Sequence, residues 1–233
     1  MVPIVSVSDL ANGFISAIIG LWLLARQRGR GNLATSYFIV FYFLFSFAWF
    51  CWAAPEIVTQ DPWYIMWLNI IGYLALYAAI AVMVQLPFLF LNRQGGGAIA
   101  GMVVVVAGIV FLLGRLLNLQ PHVRELVDGY VFWSPVYAAW LRIFTGVVAG
   151  LTAALCAIVF MYLGWRGKND VLVYKRSVYL AIGMLIILVA TSVSYILFFF
   201  FSFFWTNLLG SALVIVGLLL LLHGILYEGQ RND

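Results

Sequence analysis

The sequence predicts an all-α polytopic membrane protein: seven transmembrane helices in a single domain, residues 1–233, with the N-terminus outside and the C-terminus cytoplasmic. Three observations carry this reading. Hydrophobic residues make up 66% of the chain and charged residues 9%, which is more apolar surface than a water-soluble core of this length can hide. Seven apolar stretches approach or exceed the roughly 20 residues that a hydrocarbon crossing needs, at about 8–25, 34–53, 62–91, 97–117, 135–164, 174–200 and 203–227. Basic residues are spread unevenly over the intervening loops, and Lys- and Arg-rich loops stay cytoplasmic.

The first stretch is short and begins a few residues before its apolar run. The third, fifth and sixth are long enough to tilt or to project beyond the hydrocarbon. Asp61-Pro62 and Ser134-Pro135 each offer a capping oxygen followed by proline at the first helical position, so they open the third and fifth helices. Gly95-Gly96-Gly97 punctuates the turn between the third and fourth. The polar connection 118–134, NLQPHVRELVDGYVFWS, places Leu119, Val123, Leu126 and Val127 at helical spacing between Pro121 and Gly129, which predicts an amphipathic helix lying on the membrane surface. FFFFSFFW reads as a tight hairpin between the sixth and seventh helices, with Ser202 its polar residue. The densest polar break is WRGKNDVLVYKR, residues 165–176, which carries four of the twelve basic residues.

With the N-terminus outside, Arg26, Arg28, Arg30, Arg93, Arg166, Lys168, Lys175, Arg176 and Arg231 are inside, and Arg115, Arg124 and Arg142 are outside. The opposite orientation inverts that ratio. Topology thus accounts for Arg166, Lys168, Lys175 and Arg176, which are left as a surface for anionic lipid or a cytoplasmic partner. Trp49, Trp52, Trp63, Trp67, Trp133, Trp140 and Trp205 gather towards the outer end, against Trp22 and Trp165 at the inner one. An aromatic belt explains interfacial tryptophan, but not so lopsided a share of it.

Several chemistries are disfavoured. No Asp or Glu lies between Asp61 and Glu125, between Asp128 and Asp170, or between Asp170 and Glu228. The cores of the third to seventh helices therefore lack the acids on which proton relays rely. The seventh helix has no lysine for a retinal Schiff base. His122 and His223 belong to opposite ends of the bundle and do not make a haem pair. Cys51 and Cys156 fall at different depths and read as unpaired. No H-E-x-x-H, no G-x-S-x-G and no metal-ligand spacing occurs. The N-terminus, MVPIVSVSDL, lacks the basic region and cleavage site of a signal peptide. The expectation is a non-enzyme without cofactor or metal, in contact with the lipid bilayer and not with nucleic acid.

The sharper constellation is on the outside. Arg115 ends the fourth helix, and Arg142 lies two turns into the fifth, flanked by Trp133, Tyr137 and Trp140. An arginine at membrane depth costs roughly 2.5 kcal/mol unless it snorkels or pairs. A cup of Arg115, Arg142, Trp133, Tyr137 and Trp140 would hold an anionic or amphipathic small ligand by charge-assisted bonds and stacking. The plainer alternative has both arginines snorkelling to headgroups under an aromatic belt. Polar stripes (Asn69, Tyr73 and Tyr77; Thr191, Ser194 and Tyr195; Asn207 and Ser211) read as interhelical glue. Gly146, Gly150 and Ala154 allow close helix approach, within the bundle or in a homo-oligomer.

The chain resembles, over most of its length, the seven-helix N-terminal sensor region of bacterial and archaeal histidine kinases and related signalling proteins. The likeness is carried by FAWFCWAAPEIVTQDPWYIMWLNIIGYLAL, by YKRSVYLAIGMLIILVATSVSYILF after the basic break, and by the ending HGILYE. It implies a sensor in a prokaryotic cytoplasmic membrane that signals through its last three helices. Only EGQRND follows Tyr227, so the output would lie in a separate cytoplasmic signalling protein. A parallel 3+1+3 layout, as in sugar transporters of the PQ-loop class, is the alternative, implying a small-solute transporter or channel; a non-catalytic assembly subunit is a third reading.

Overall fold

A computed structural model describes residues 3–27, 32–127, 129–197 and 202–227. Among them, seven helices are long and apolar enough to cross a membrane, and the chain is an integral membrane protein of helical bundle type. Arg28, Gly29, Arg30, Asp128, Arg231 and residues 198–201 of the FFFFSFFW turn lie outside the described residues.

Helix α1 spans Ile4–Gln27 and α2 spans Leu33–Val58. Both outrun their apolar cores, and α2 continues through Pro55. Asn32 caps α2 by accepting from the Ala34 N–H. Helix α3, Pro62–Met83, begins where the Asp61-Pro62 pair predicts, the Asp61 carboxylate accepting from the N–H groups of Trp63 and Tyr64.

The expected continuous third helix is interrupted at Val84, and the short α4 follows as Gln85–Phe90. Proline supplies the reason. Pro87 has no N–H, so the Met83 carbonyl four residues back loses its helical donor. The Cys156 thiol, from the fifth spanning helix, reaches that oxygen at 3.7 Å instead. The turn that follows is at Leu91–Arg93, with Asn92 at a φ of 55°, and not at the glycines. Gly95, Gly96 and Gly97 lie inside α5, Gln94–Leu117, where Gly96 and Gly97 leave room for the Phe88 ring.

The segment 118–134 is not a surface helix. Strands β1 (Val123–Val127) and β2 (Tyr130–Ser134) form an antiparallel hairpin in which Val127 faces Tyr130 and Val123 faces Ser134. Gly129 sits at a φ of 82°, as a two-residue Asp-Gly turn requires. Val131, Phe132 and Trp133 are β-prone residues that bury themselves on one strand; Phe132 packs on Val5 and Phe204. This burial outweighs the weak helical spacing of the leucines and valines. Because Ser134 belongs to β2, it caps nothing, and α6 runs from Ala139 to Arg166. Arg142 consequently lies in the first turn of its helix, not two turns in.

Helix α7, Val171–Tyr195, is capped by Asp170, which accepts from Leu172 and Val173 at 2.9 and 3.2 Å. Helix α8 covers Phe203–Leu226. Neighbours pack in chain order, α1 on α2, α2 on α3, α6 on α7 and α7 on α8. Contact of α8 with α1 closes a ring, and α5 leans on α3 with a lighter touch on α6. Glycine sets the closest approaches. A Cβ at Gly146 would stand 2.6 Å from the Tyr195 Cβ, and Gly183 and Gly217 each face the other's carbonyl at 3.0 and 3.1 Å. The small residues Gly146 and Gly150 are thus spent on α6–α7 packing inside the chain.

Candidate ligand-binding cavity

The ring encloses a cavity of about 160 Å³ that runs from the hairpin end of the bundle to the level of Met83 and Met184. A single water needs roughly 10–15 Å³ measured in the same way, so the space suits a multi-atom ligand. Its apolar wall is an aromatic series on α2. Phe41 stacks on Phe45 at 5.3 Å, Phe45 meets Trp49 edge-on at 5.7 Å, and Trp49 meets Trp52 at 5.1 Å. Trp52 continues to Tyr73 at 5.0 Å and donates its indole N–H to the Asn69 carbonyl at 3.2 Å.

This divides the seven tryptophans of the hairpin end into two groups. Trp49, Trp52 and Trp133 line the cavity. Trp63, Trp67, Trp140 and Trp205 are about half exposed on the flank of the bundle, as a membrane belt requires.

The predicted cup forms only in part. Arg142 and Trp133 are on the cavity wall. Arg115 is wholly buried, at 0% exposure, beside the wall. Its Nη1 donates to the Val136 carbonyl at 2.9 Å, and its guanidinium lies 4.4 Å from the centre of the Tyr137 ring. Arg142 approaches the same ring at 5.4 Å. Tyr137 is therefore a spacer between two guanidinium groups, and its hydroxyl bonds that of Tyr73 at 2.7 Å. Neither arginine snorkels. Trp140 does not join them: it packs over Gly114 and is 49% exposed.

The structure adds two carboxylates that the sequence reading passed over. Asp9 of α1 and Glu56 of α2 both line the cavity. Ser6 donates to Glu56, and Asp9 lies near both Ser211 and Glu56. Ser8 and Ser211 share a hydrogen bond of 2.8 Å, and Asn12 bonds both the hydroxyl and the carbonyl of Ser211, so this polar face also joins α1 to α8. One sequence signal was available. Ser6, Asp9, Asn12, Gly13, Ser16 and Gly20 repeat at helical spacing, the mark of an interior polar stripe.

The other polar stripes divide their work. Asn69, Tyr73, Thr191, Ser194, Tyr195 and Asn207 reach the cavity, whereas Tyr77 bonds Thr145 at 3.0 Å. Three cavity residues hold buried polar atoms without a hydrogen-bond partner: Asn69 Oδ1, Trp49 Nε1 and both ring nitrogens of His122. Burial and the nearby Arg115 charge push His122 down to about 3, so its imidazole is neutral at ordinary pH.

At the opposite end the basic residues differ among themselves. Arg166 and Lys168 are exposed, with Arg166 5.8 Å from the Tyr162 ring. Arg176 donates to the Tyr227 carbonyl at 2.6 Å, and Lys175 lies 5.6 Å from the Tyr227 ring. Tyr179 meets His223 edge-on at 4.4 Å. Lys175 and Arg176 thereby clasp the end of α8 to the start of α7. No protein-family model matches this chain, and no curated protein matches it either.

Proposed function

We propose that the protein is a membrane sensor of a prokaryotic cytoplasmic membrane, its hairpin end outside and its basic end cytoplasmic. It binds a small amphipathic ligand in the central cavity and passes a change in α6–α8 packing to a cytoplasmic signalling partner. One observation carries the reading: an aromatic-walled cavity holds buried polar atoms without partners at one end and is bounded by α7 and α8 along its length. Preformed pockets of that composition are the usual form of small-molecule sites. Orientation follows from charge. Among the described residues, Arg26, Arg93, Arg166, Lys168, Lys175 and Arg176 are at the basic end, and with Arg115 and Arg142 buried, Arg124 is the exposed arginine of the hairpin end. The clasp of Lys175 and Arg176 on Tyr227 supports transmission, because it ties together the far ends of the two helices that bound the cavity.

Thermal-shift screening of the purified protein in lipid nanodiscs tests this. A ligand that raises the melting temperature of the wild type is expected to lose its effect in Ala149→Leu, where the added side chain fills the cavity. A ligand that stabilises both equally binds elsewhere and sinks the cavity reading. Saturable uptake of the same ligand into proteoliposomes would favour the transporter layout over the sensor.

A further inference from the structure

The charge lining the cavity is segregated, and this says which ligands it selects. Asp9 and Glu56 project from the neighbouring helices α1 and α2. Their partners, Ser211 and Ser6, are hydroxyls that bring no positive charge. The guanidinium of Arg142 belongs to α6, leans towards Tyr137, and is felt at Tyr73 and Tyr195. Two carboxyl groups on neighbouring helices form an acidic end of the cavity, and a cation between them would favour their ionised form.

Two further features point to an occupant of the same cavity. Asn69 is 8% exposed, and its Oδ1, an acceptor, has no donor. His122 is 3% exposed, and neither ring nitrogen has a partner; as a neutral imidazole near Arg115 it offers one donor and one acceptor to the ligand's polar part, not a site for its charge. Buried acceptors without donors cost free energy until something supplies an N–H or O–H. A metal ion does not fit, since among the described residues no three His, Cys, Asp or Glu side chains converge on a metal-sized site. An ammonium group does, because it supplies several N–H donors and a positive charge at once. The adjoining wall of Phe45, Trp49 and Trp52 would take an apolar body, and aromatic faces attract a cation directly.

We infer that the cavity selects an organic ammonium compound, a primary or secondary amine on a compact apolar body, with its charged nitrogen held between Asp9 and Glu56 and its body against Trp49 and Trp52. This rests on the cavity being a ligand site, as proposed above. It narrows the class from amphipathic molecules in general to amphipathic cations.

Three probes that share an aromatic skeleton test the inference: phenethylamine, 2-phenylethanol and 3-phenylpropanoate. Each is titrated by calorimetry at neutral pH into protein in zwitterionic-lipid nanodiscs. The ammonium probe is expected to bind at least about tenfold more tightly than the other two, as one charge-assisted contact implies. That preference should fall to within about twofold in the Asp9→Asn/Glu56→Gln double variant. Should the double variant not fold, Asn69→Leu serves; it should weaken the ammonium probe severalfold and leave the alcohol unchanged. Equal or tighter binding of the alcohol or carboxylate overturns the charge preference and leaves the cavity a ligand site. A preference that survives both variants overturns the placement at Asp9 and Glu56. Binding of none of the three overturns the inference, and the cavity reading then stands or falls on the Ala149→Leu screen.

Discussion

His122 and Arg115 show how far a neighbour's charge reaches when water is excluded. His122 lies outside the spanning helices, its backbone N–H donating to the Pro62 carbonyl at 3.4 Å, and its imidazole is buried near the Arg115 guanidinium. Its folded pKa, about 3, stands below the ordinary 6.5. Between those values the unfolded chain binds a proton that the folded chain refuses, so stability is complete above 6.5 and is lost as pH falls. The limiting slope is about 1.4 kcal/mol per pH unit, or about 2 kcal/mol between pH 6.5 and 5. Melting temperatures measured at pH 7.5 and 5 should therefore fall less in His122→Gln than in the wild type; equal falls would mean that the ring is not buried as neutral imidazole. The cost of an arginine at membrane depth singled out Arg142, whereas Arg115, read as the end of the fourth helix, is the one wholly buried. That it is buried against Tyr137 and Val136, and not snorkelling, follows from a hairpin and a connection that sequence spacing does not place.

At the scale of single elements, local chemistry was readable and long-range pairing was not. Asp61-Pro62 opens α3 because capping and a fixed φ are properties of adjacent residues. Ser134-Pro135 carries the same local signal, yet Ser134 is drawn into β2 opposite Val123, and the helix starts later. The hairpin had its own signal in Asp128-Gly129 followed by YVFW, which competed with a partial helical period in 119–127 and lost on paper. The tryptophans were ambiguous for another reason: belt and cavity wall use the same residue type, and only packing separates Trp52 from Trp63. The glycines make the contrast testable. At Gly146 an alanine Cβ meets the Tyr195 Cβ at 2.6 Å, while at Gly95 nothing lies within 4 Å. Gly146→Ala should lower stability by about 1–3 kcal/mol through overpacking. Gly95→Ala should leave it unchanged or raise it by up to about 1 kcal/mol, since alanine favours helix. Thermal unfolding of the two variants beside the wild type checks both, and a neutral Gly146→Ala would show that α6 and α7 are less tightly apposed.

For the whole molecule, composition and basic-residue placement were enough to assign seven spanning helices, because a bilayer imposes length and apolarity on every crossing. The cavity was not legible, since Asp9 stands in the first turns of α1 and Glu56 in the last turn of α2, where hydropathy reads both as interfacial. Their convergence depends on how α1 packs against α2, which hydropathy does not place. If occupancy of the cavity is transmitted, hydrogen exchange should slow on ligand addition at residues 175–179 and 222–227, where the α7–α8 clasp lies, and not in the outward-facing turns of α5. Protection confined to the hairpin end would speak against transmission.

The ring has two kinds of joint. Helices α1 to α3, and likewise α6 to α8, follow one another along the chain and pack in that order. The join between α1 and α8 is noncovalent, held in part by Ser8, Asn12 and Ser211. The join between α3 and the α6 half is held in part by the Tyr73–Tyr137 and Tyr77–Thr145 pairs. The molecule is thus two halves joined by a shared apolar core and a few hydroxyl contacts, with the cavity in the crease between them. Hydrogen bonds of this kind contribute only about 0.6 kcal/mol each in a membrane, so the apolar core that runs across both halves, from Phe38 and Tyr42 to Cys156 and Leu218, carries most of the join. A molecule in the crease would rest on Asp9, Glu56, Trp49 and Trp52 of one half and face Thr191 and Tyr195 of the other, so that its bulk would set how far the halves spread.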